Sequence, residues 1–269
     1  MSDFTPHRAR KRFGQNFLVD QNIINGIIDA IDPIAGQHIV EIGPGQAALT
    51  RKLIHALGSN GSIDAIEIDR DLVARLTHEF PVEKLRVHQA DAMEFDFSTL
   101  PSPLRVVGNL PYNISTPILF RLCEYEDRIS DMTFMLQKEV VDRMAAAAGE
   151  DARGRLSVML QYRFKIEKRF DVPPTAFKPV PAVDSSIVRL TPLGEHRLRP
   201  KDEMLFARIV NEAFSQRRKM LRKSLANWVT PEGWEAIGVA PTARAEELSC
   251  EAFVAIADWA GQRRDEAAR

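Results

Sequence analysis

Ile39-Val40-Glu41-Ile42-Gly43-Pro44-Gly45-Gln46-Ala47-Ala48 is the stretch on which the fold turns. Ile39, Val40 and Ile42 make a short apolar run of strand character, the glycines supply a turn, and the residues after them read as a helix to about Leu57. The pattern is a strand, then G-x-G-x-x-A, then a helix. Glycines at such a turn let the backbone bend tightly and come close to a ligand. A glycine pair after a strand also marks an ordinary tight turn, so its meaning depends on its surroundings.

Working outward, the alternation continues. Ser62–Ile68, Leu85–Gln89, Leu104–Gly108 and Met132–Gln137 read as strands, and Asp71–Phe80, Ser115–Tyr125 and Lys138–Ala148 as helices. Upstream, Ile23, Ile24, Ile27, Ile28 and Ile31 share one helical face, with Asp20 as N-cap and Pro33 as the stop. Strands alternating with helices predict βαβ units and an α/β, doubly wound, mostly parallel sheet of Rossmann-like type. After Gly149, Leu156–Tyr162 reads as helix, and Phe164–Asp171 and Val183–Leu190 as extended segments around a Pro-rich stretch. From Leu193 the strand signals stop, and residues 202–228 and 249–262 read as helices. The expected division is a catalytic domain over 1–195 and a small all-α domain over 196–269.

Composition sets the outer bounds. The chain has 269 residues, 45% hydrophobic and 27% charged, which excludes a disordered chain, collagen or a disulfide miniprotein. Cys123 and Cys250 stand in apolar helical contexts and read as small buried hydrophobes rather than as a disulfide or metal site. No run of 18 apolar residues predicts a membrane span. The polar, basic start lacks the apolar core of a secretory signal. A cytoplasmic protein is expected. The net charge of −1 conceals a division. Residues 1–19 carry four basic and one acidic side chain, 20–150 carry 11 and 20, and 151–269 carry 21 and 16. An acidic middle lies between basic ends, which suits a polyanion at the ends and other chemistry between them.

That chemistry is nucleoside binding. Glu67 closes the second strand, 24 residues after Gly43, where a carboxylate accepts ribose hydroxyls. Asp91 follows 24 residues later and can accept from an adenine amino group. Glu41 beside the turn repels a pyrophosphate, and Pro44 interrupts the dinucleotide pattern. Both features suit a ligand with adenosine at one end and a cationic amino-acid group at the other. S-adenosyl-L-methionine is such a ligand. Strand-end acids that are simply solvated are the plain alternative.

Asn109-Leu110-Pro111-Tyr112 follows the fourth strand at its carboxyl end, where open α/β sheets bind ligands. An exocyclic purine amine is a poor nucleophile until acceptors hold its hydrogens. The Asn109 side-chain oxygen and the Leu110 carbonyl are the candidate acceptors, Pro111 fixes the turn, and Tyr112 offers a ring face for the base. Positioning and electrostatics then carry most of the catalysis. Phe177, in the proline-stiffened Phe177–Ser185 loop, is the candidate clamp on the other face of an extruded base, with core filler as the alternative. Two basic clusters are candidate RNA contacts: Arg10, Lys11 and Arg12, and the set Arg217, Arg218, Lys219, Arg222 and Lys223. The second cluster is expected on an amphipathic helix whose apolar face holds Phe214, Leu221, Leu225 and Trp228.

With these motifs in chain order, the sequence resembles the ribosomal RNA adenine N6-dimethyltransferase family, its small-subunit branch most closely. The resemblance rests on Arg10–Leu18, Val40–Gly45, Asn109–Pro117, Phe134–Val140, Gly154–Val158, the Phe177 loop and Gln216–Lys219, and covers most of the chain. It implies a class I methyltransferase fold with a small helical C-terminal domain. It implies transfer of four methyl groups from S-adenosyl-L-methionine to N6 of two adjacent adenines, in the 3′-terminal hairpin loop of 16S rRNA within the small ribosomal subunit or its precursor. Asn16, Leu18, Gly43, Glu67, Asp91 and Asn109 would contact the cofactor, and Phe13 and Gln15 would lie in a segment over the active site. No metal, no membrane and a monomer are expected. The alternatives are a large-subunit rRNA dimethylase, whose motif more often reads Asn-Ile-Pro-Tyr, and a mainly non-catalytic RNA-binding assembly factor. A nicotinamide dehydrogenase is disfavoured by Glu41 and Pro44.

Overall fold

The computed structural model describes residues 16–216 and 219–267. The chain forms two compact units, Met1–Val141 with Glu167–Pro192, and Asp142–Ile166 with Leu193–Arg269. The sequence suggested a single cut near 195. The chain instead crosses between units three times, because residues 142–166 group with the C-terminal helices.

The first unit opens with a two-residue strand β1 (Phe17–Leu18) and helix α1 (Gln21–Ile31). Asp20 caps α1 by accepting from the Asn22 and Ile23 amides at 2.8 and 3.2 Å, which satisfies two of the N–H groups a helix start leaves free. The alternation then runs β2 (His38–Ile42), α2 (Ala48–Leu57), β3 (Ser62–Glu67), α3 (Arg70–Glu79), β4 (Leu85–Gln89), β5 (Leu104–Asn109), α4 (Ser115–Cys123), β6 (Ile129–Gln137) and α5 (Lys138–Ala145). After α6 (Arg155–Gln161), which belongs to the second unit, come β7 (Phe164–Val172), a short β8 (Phe177–Lys178) and β9 (Ser185–Pro192).

Seven strands form one sheet in the order β4-β3-β2-β5-β6-β9-β7. The pairs β3–β4, β2–β3, β2–β5 and β5–β6 are parallel, whereas β9 runs antiparallel to β6. The strand order reverses between β2 and β5, so the crevice above their carboxyl ends is the topological switch point. Gly108 permits the close contact there, since a Cβ on it would lie 2.4 Å from the Ile42 carbonyl oxygen. One face of the sheet packs on α1, α2 and α3 through Ile39, Ile63, Ala65 and Val107 against Ile24, Ile27, Leu53, Leu57 and Leu76.

At its amino end β5 is fixed by charge. Arg105 is 9% exposed and donates to both Asp131 carboxylate oxygens at 3.0 Å. It also donates to the Ile31 and Asp32 carbonyls and to Gln37 Oε1. A register shift between Leu104 and Arg105 sets Arg105 opposite Asp131 on β6, and Arg189 on β9 completes the network by pairing with the same carboxylate.

In the second unit, α7 (Glu203–Ser215), α8 (Leu221–Ser224), α9 (Pro231–Ile237) and α10 (Cys250–Ala267) follow. Phe206, Ile209, Val210, Leu221, Leu225, Phe253 and Ile256 are buried in it. Arg153 is fully enclosed, donating to the Leu248 and Ala146 carbonyls and to Gln161 Oε1. The continuous helix expected over 202–228 is not formed. α7 ends at Ser215, Met220 is extended at φ −65° and ψ 148°, and α8 is a single turn. The Leu221 and Arg222 amides donate instead to the Ala243 and Pro241 carbonyls, so tertiary hydrogen bonds replace helical ones. Leu221 and Leu225 are buried as the amphipathic reading required.

Candidate active site

A cavity of about 310 Å³ lies in the first unit at the switch point. Its wall comes from the turns after β2, β3, β4 and β5, together with the segment entering β1. Asn16, Leu18, Gly43, Glu67, Asp91, Asn109, Leu110 and Tyr112 all line it. Eight residues singled out from sequence, spread over 97 positions, therefore meet in one place.

Each is set by its local backbone. Gly43 and Gly45 have φ of +67° and +56°, conformations that a side chain disfavours. A Cβ on Gly45 would also come within 3.3 Å of the Phe17 ring, so the bare glycine lets that ring lie over the turn. The Gly45 amide donates to Glu67 Oε2 at 3.2 Å, and the Asp69 amide to Glu67 Oε1 at 2.9 Å. These bonds tie the turn after β2 to the end of β3. Burial pushes the Glu67 pKa up, against the pull of those amides. Asp91 Oδ1 accepts from the Met93 amide at 2.9 Å, which orients its carboxylate on the wall.

Glu41 is 2% exposed. Burial raises its pKa to about 7, the neighbouring Thr50 hydroxyl favours the ionised form, and the negative charge of Glu67 opposes it. Among the described residues, no hydrogen bond reaches its buried Oε2. A buried acceptor without a donor, in a cavity wall, is costly unless a ligand supplies one. The cationic amino group of S-adenosylmethionine is a donor of the right kind, so the residues present fit that cofactor.

At the end of β5, the Asn109 amide Nδ2 donates to the Asn16 carbonyl at 3.2 Å. That bond fixes which way the side chain is turned and leaves Oδ1 as the outward acceptor. The Leu110 amide donates to the Met135 carbonyl at 3.3 Å, anchoring the turn to β6. Tyr112 is half-buried, and its hydroxyl lies 2.8 Å from Ser185 Oγ.

Phe177 is placed differently from the expectation. It is 2% exposed and sits in the core cluster with Leu18, Ile24, Ile27 and Val172, not on the cavity wall. The cause is strand alternation: β8 pairs antiparallel with β1, Leu18 opposite Phe177, and turns Lys178 outward and Phe177 in. Arg10, Lys11, Arg12, Phe13, Gln15, Arg217 and Arg218 lie outside the described residues. Lys219, Arg222 and Lys223 are exposed in the second unit. Sequence reasoning missed Ser185, whose only signal was its place at the end of the Phe177 loop, and gave Phe17 no role of its own. Among the described residues, no helix is long and apolar enough to cross a membrane. No group of three or more His, Cys, Asp and Glu among them is arranged to hold a metal.

The parallel sheet with its antiparallel strand β9, the glycine turn and the acidic strand ends define a class I S-adenosylmethionine-dependent methyltransferase. The family model for ribosomal RNA adenine dimethylases matches residues 6–262, and the chain belongs to that family. It is 56% identical over 253 residues to the ribosomal RNA small subunit methyltransferase A of Aromatoleum aromaticum, covering 94% of each chain. Against the protein of the same name from Thiobacillus denitrificans it is 52% identical over 96% of this chain and all of that one. Among solved structures it is similar to a dimethyladenosine transferase from Plasmodium falciparum, with a TM-score of 0.75 and 25% identity over 89% of this chain and 95% of that one. It is also similar to the 23S rRNA methyltransferase ErmE, with a TM-score of 0.73 and 26% identity over 92% of this chain and all of that one.

Proposed function

We propose that this enzyme dimethylates N6 of two adjacent adenines in the 3′-terminal hairpin loop of 16S rRNA, in the small ribosomal subunit or its precursor, as a cytoplasmic monomer. One observation carries the chemical part: the Asn109 amide nitrogen is held by the Asn16 carbonyl, so its oxygen is the group turned to receive an amine hydrogen. The Leu110 carbonyl, in the same turn, takes the second hydrogen, and the nitrogen lone pair is freed from the ring. S-adenosylmethionine held there would supply an electrophilic methyl group on its sulfonium, and the surplus proton of the target N6 would pass to water. Glu67 would hold the ribose, Asp91 the adenine of the cofactor and Glu41 its amino end. Tyr112 would stack on the target base. Such a site works by placing the reactants and by fixed acceptors, with no strong base.

The choice of 16S rRNA is supported by identity of 50% or more to proteins called small subunit methyltransferase A, against 26% to the 23S enzyme ErmE. Labelled cofactor incubated with undermethylated 30S particles, 50S precursors and DNA tests it. Label is expected in the 30S particle, on the hairpin fragment, with the mass of four added methyl groups. Absence of label there would sink the proposal.

A further inference from the structure

The geometry points to Ser185 as a positioning residue for methyl transfer, acting through the ring of Tyr112. The inference rests on the reading that Tyr112 borders the target base.

Ser185 is the first residue of β9 and fully buried. Its backbone is fixed by pairing with Gln137 at the end of β6. On either side the chain is also held, since the Asp184 carbonyl accepts from the Lys138 amide at 2.9 Å and Ser186 Oγ donates to Asp171 at 2.5 Å. Among the described residues the Ser185 hydroxyl has one side-chain partner, the Tyr112 hydroxyl at 2.8 Å. At the other end of that residue, the Tyr112 carbonyl accepts from Ser115 Oγ at 3.1 Å. Pro111 restricts the backbone immediately before it. The ring is therefore pinned at its backbone by a serine of α4 and at its tip by a serine of β9, while lining the cavity. Burial pushes the Tyr112 phenol pKa up, so the hydroxyl keeps its proton and the bond persists through neutral pH.

A ring fixed at one end only can swing about its side-chain torsions. A base stacked on it would swing too, and the N6 lone pair would leave the line of attack. Errors of this size are expensive, since a displacement of about 1 Å can cost about 100-fold in rate. Ser185 thus affects the chemical step without touching a reactant.

The test is a double-mutant cycle in single-turnover methylation, run on whichever of the 30S, 50S and DNA substrates accepts label. Wild-type activity on 30S particles tests the functional reading separately. Ser185→Ala is expected to lower the single-turnover rate about tenfold, with KM for cofactor nearly unchanged. Tyr112→Phe, which keeps the ring and removes the hydroxyl, should show the same loss. The double variant should be no slower than either single one, and Ser185→Cys should fall between Ser185→Ala and wild type. An equal loss from Ser185→Ala in the wild-type and Tyr112→Phe backgrounds would overturn the proposal. So would full activity of Tyr112→Phe, a measurement that stands even if Ser185→Ala does not fold.

Discussion

Asn109 and Asn16 are 93 positions apart, and the side-chain amide of one is fastened to the main-chain carbonyl of the other at 3.2 Å. The bond does two things. It ties Asn16, just before β1, to the end of β5, and it decides which atom of the Asn109 amide is left as an acceptor at the cavity.

Asn109→Ala removes the acceptor and the fastening together. The methylation rate is expected to fall about 10²- to 10³-fold, the range for loss of one preorganised polar group at a reacting centre. Binding of undermethylated 30S particles, measured by sedimentation or filter retention, is expected to persist. Methylation at the wild-type rate would remove Asn109 from the site.

Glu41 gives a pH dependence with a definite sign. Its pKa is raised from 4.5 to about 7 in the folded chain, so between those values the folded state binds more protons than the unfolded one. Its contribution therefore makes stability fall as pH rises from about 4.5 to about 7, by on the order of 3 kcal/mol, and then level off. The upward shift of Glu67 adds a slope of the same sign. Denaturant melts between pH 5 and 8 should show a flatter profile for Glu41→Gln than for wild type. Equal profiles would contradict the assignment.

Asp131 supplies the prediction for the frame. Asp131→Ala leaves Arg105 buried with its main charged partner removed, a change that costs about 3–5 kcal/mol. Urea unfolding should show that loss, while the rate per folded molecule at low temperature stays near wild type because Asp131 touches no part of the cavity. A loss under 1 kcal/mol would mean that water compensates the arginine.

Charge division predicts two salt responses. RNA binding should weaken steeply with salt and cofactor binding only slightly. Replacing the exposed Lys219, Arg222 and Lys223 with alanine should flatten the log–log salt slope for the particle by roughly 2 to 3, at 0.7–0.9 per lost phosphate contact. An unchanged slope would place the RNA contacts elsewhere.

The strands β2, β3, β5 and β6 were legible to within a few residues because strands buried inside a largely parallel sheet are mostly apolar between turn signals. The acids were legible because they stand where such strands end. Less could be read where tertiary contacts decide. The helix over 202–228 satisfied its periodicity, yet carbonyls from Pro241 and Ala243 took the amides that would have continued it. Phe177 looked like a loop aromatic until a two-residue pairing with β1 turned it inward. Nothing local tied Ser185 to Tyr112, because the two lie 73 positions apart.

Arg105 and Asn109 belong to the same strand, four residues or about 13 Å apart at the usual rise. The arginine's five hydrogen bonds clamp β5 at its origin, so the strand works as a ruler fixed at zero. Sliding by one residue would break all five at once and carry Asn109 off its mark. The position of Asn109 on the cavity wall is thus referenced to a charged anchor at the opposite end of its own strand.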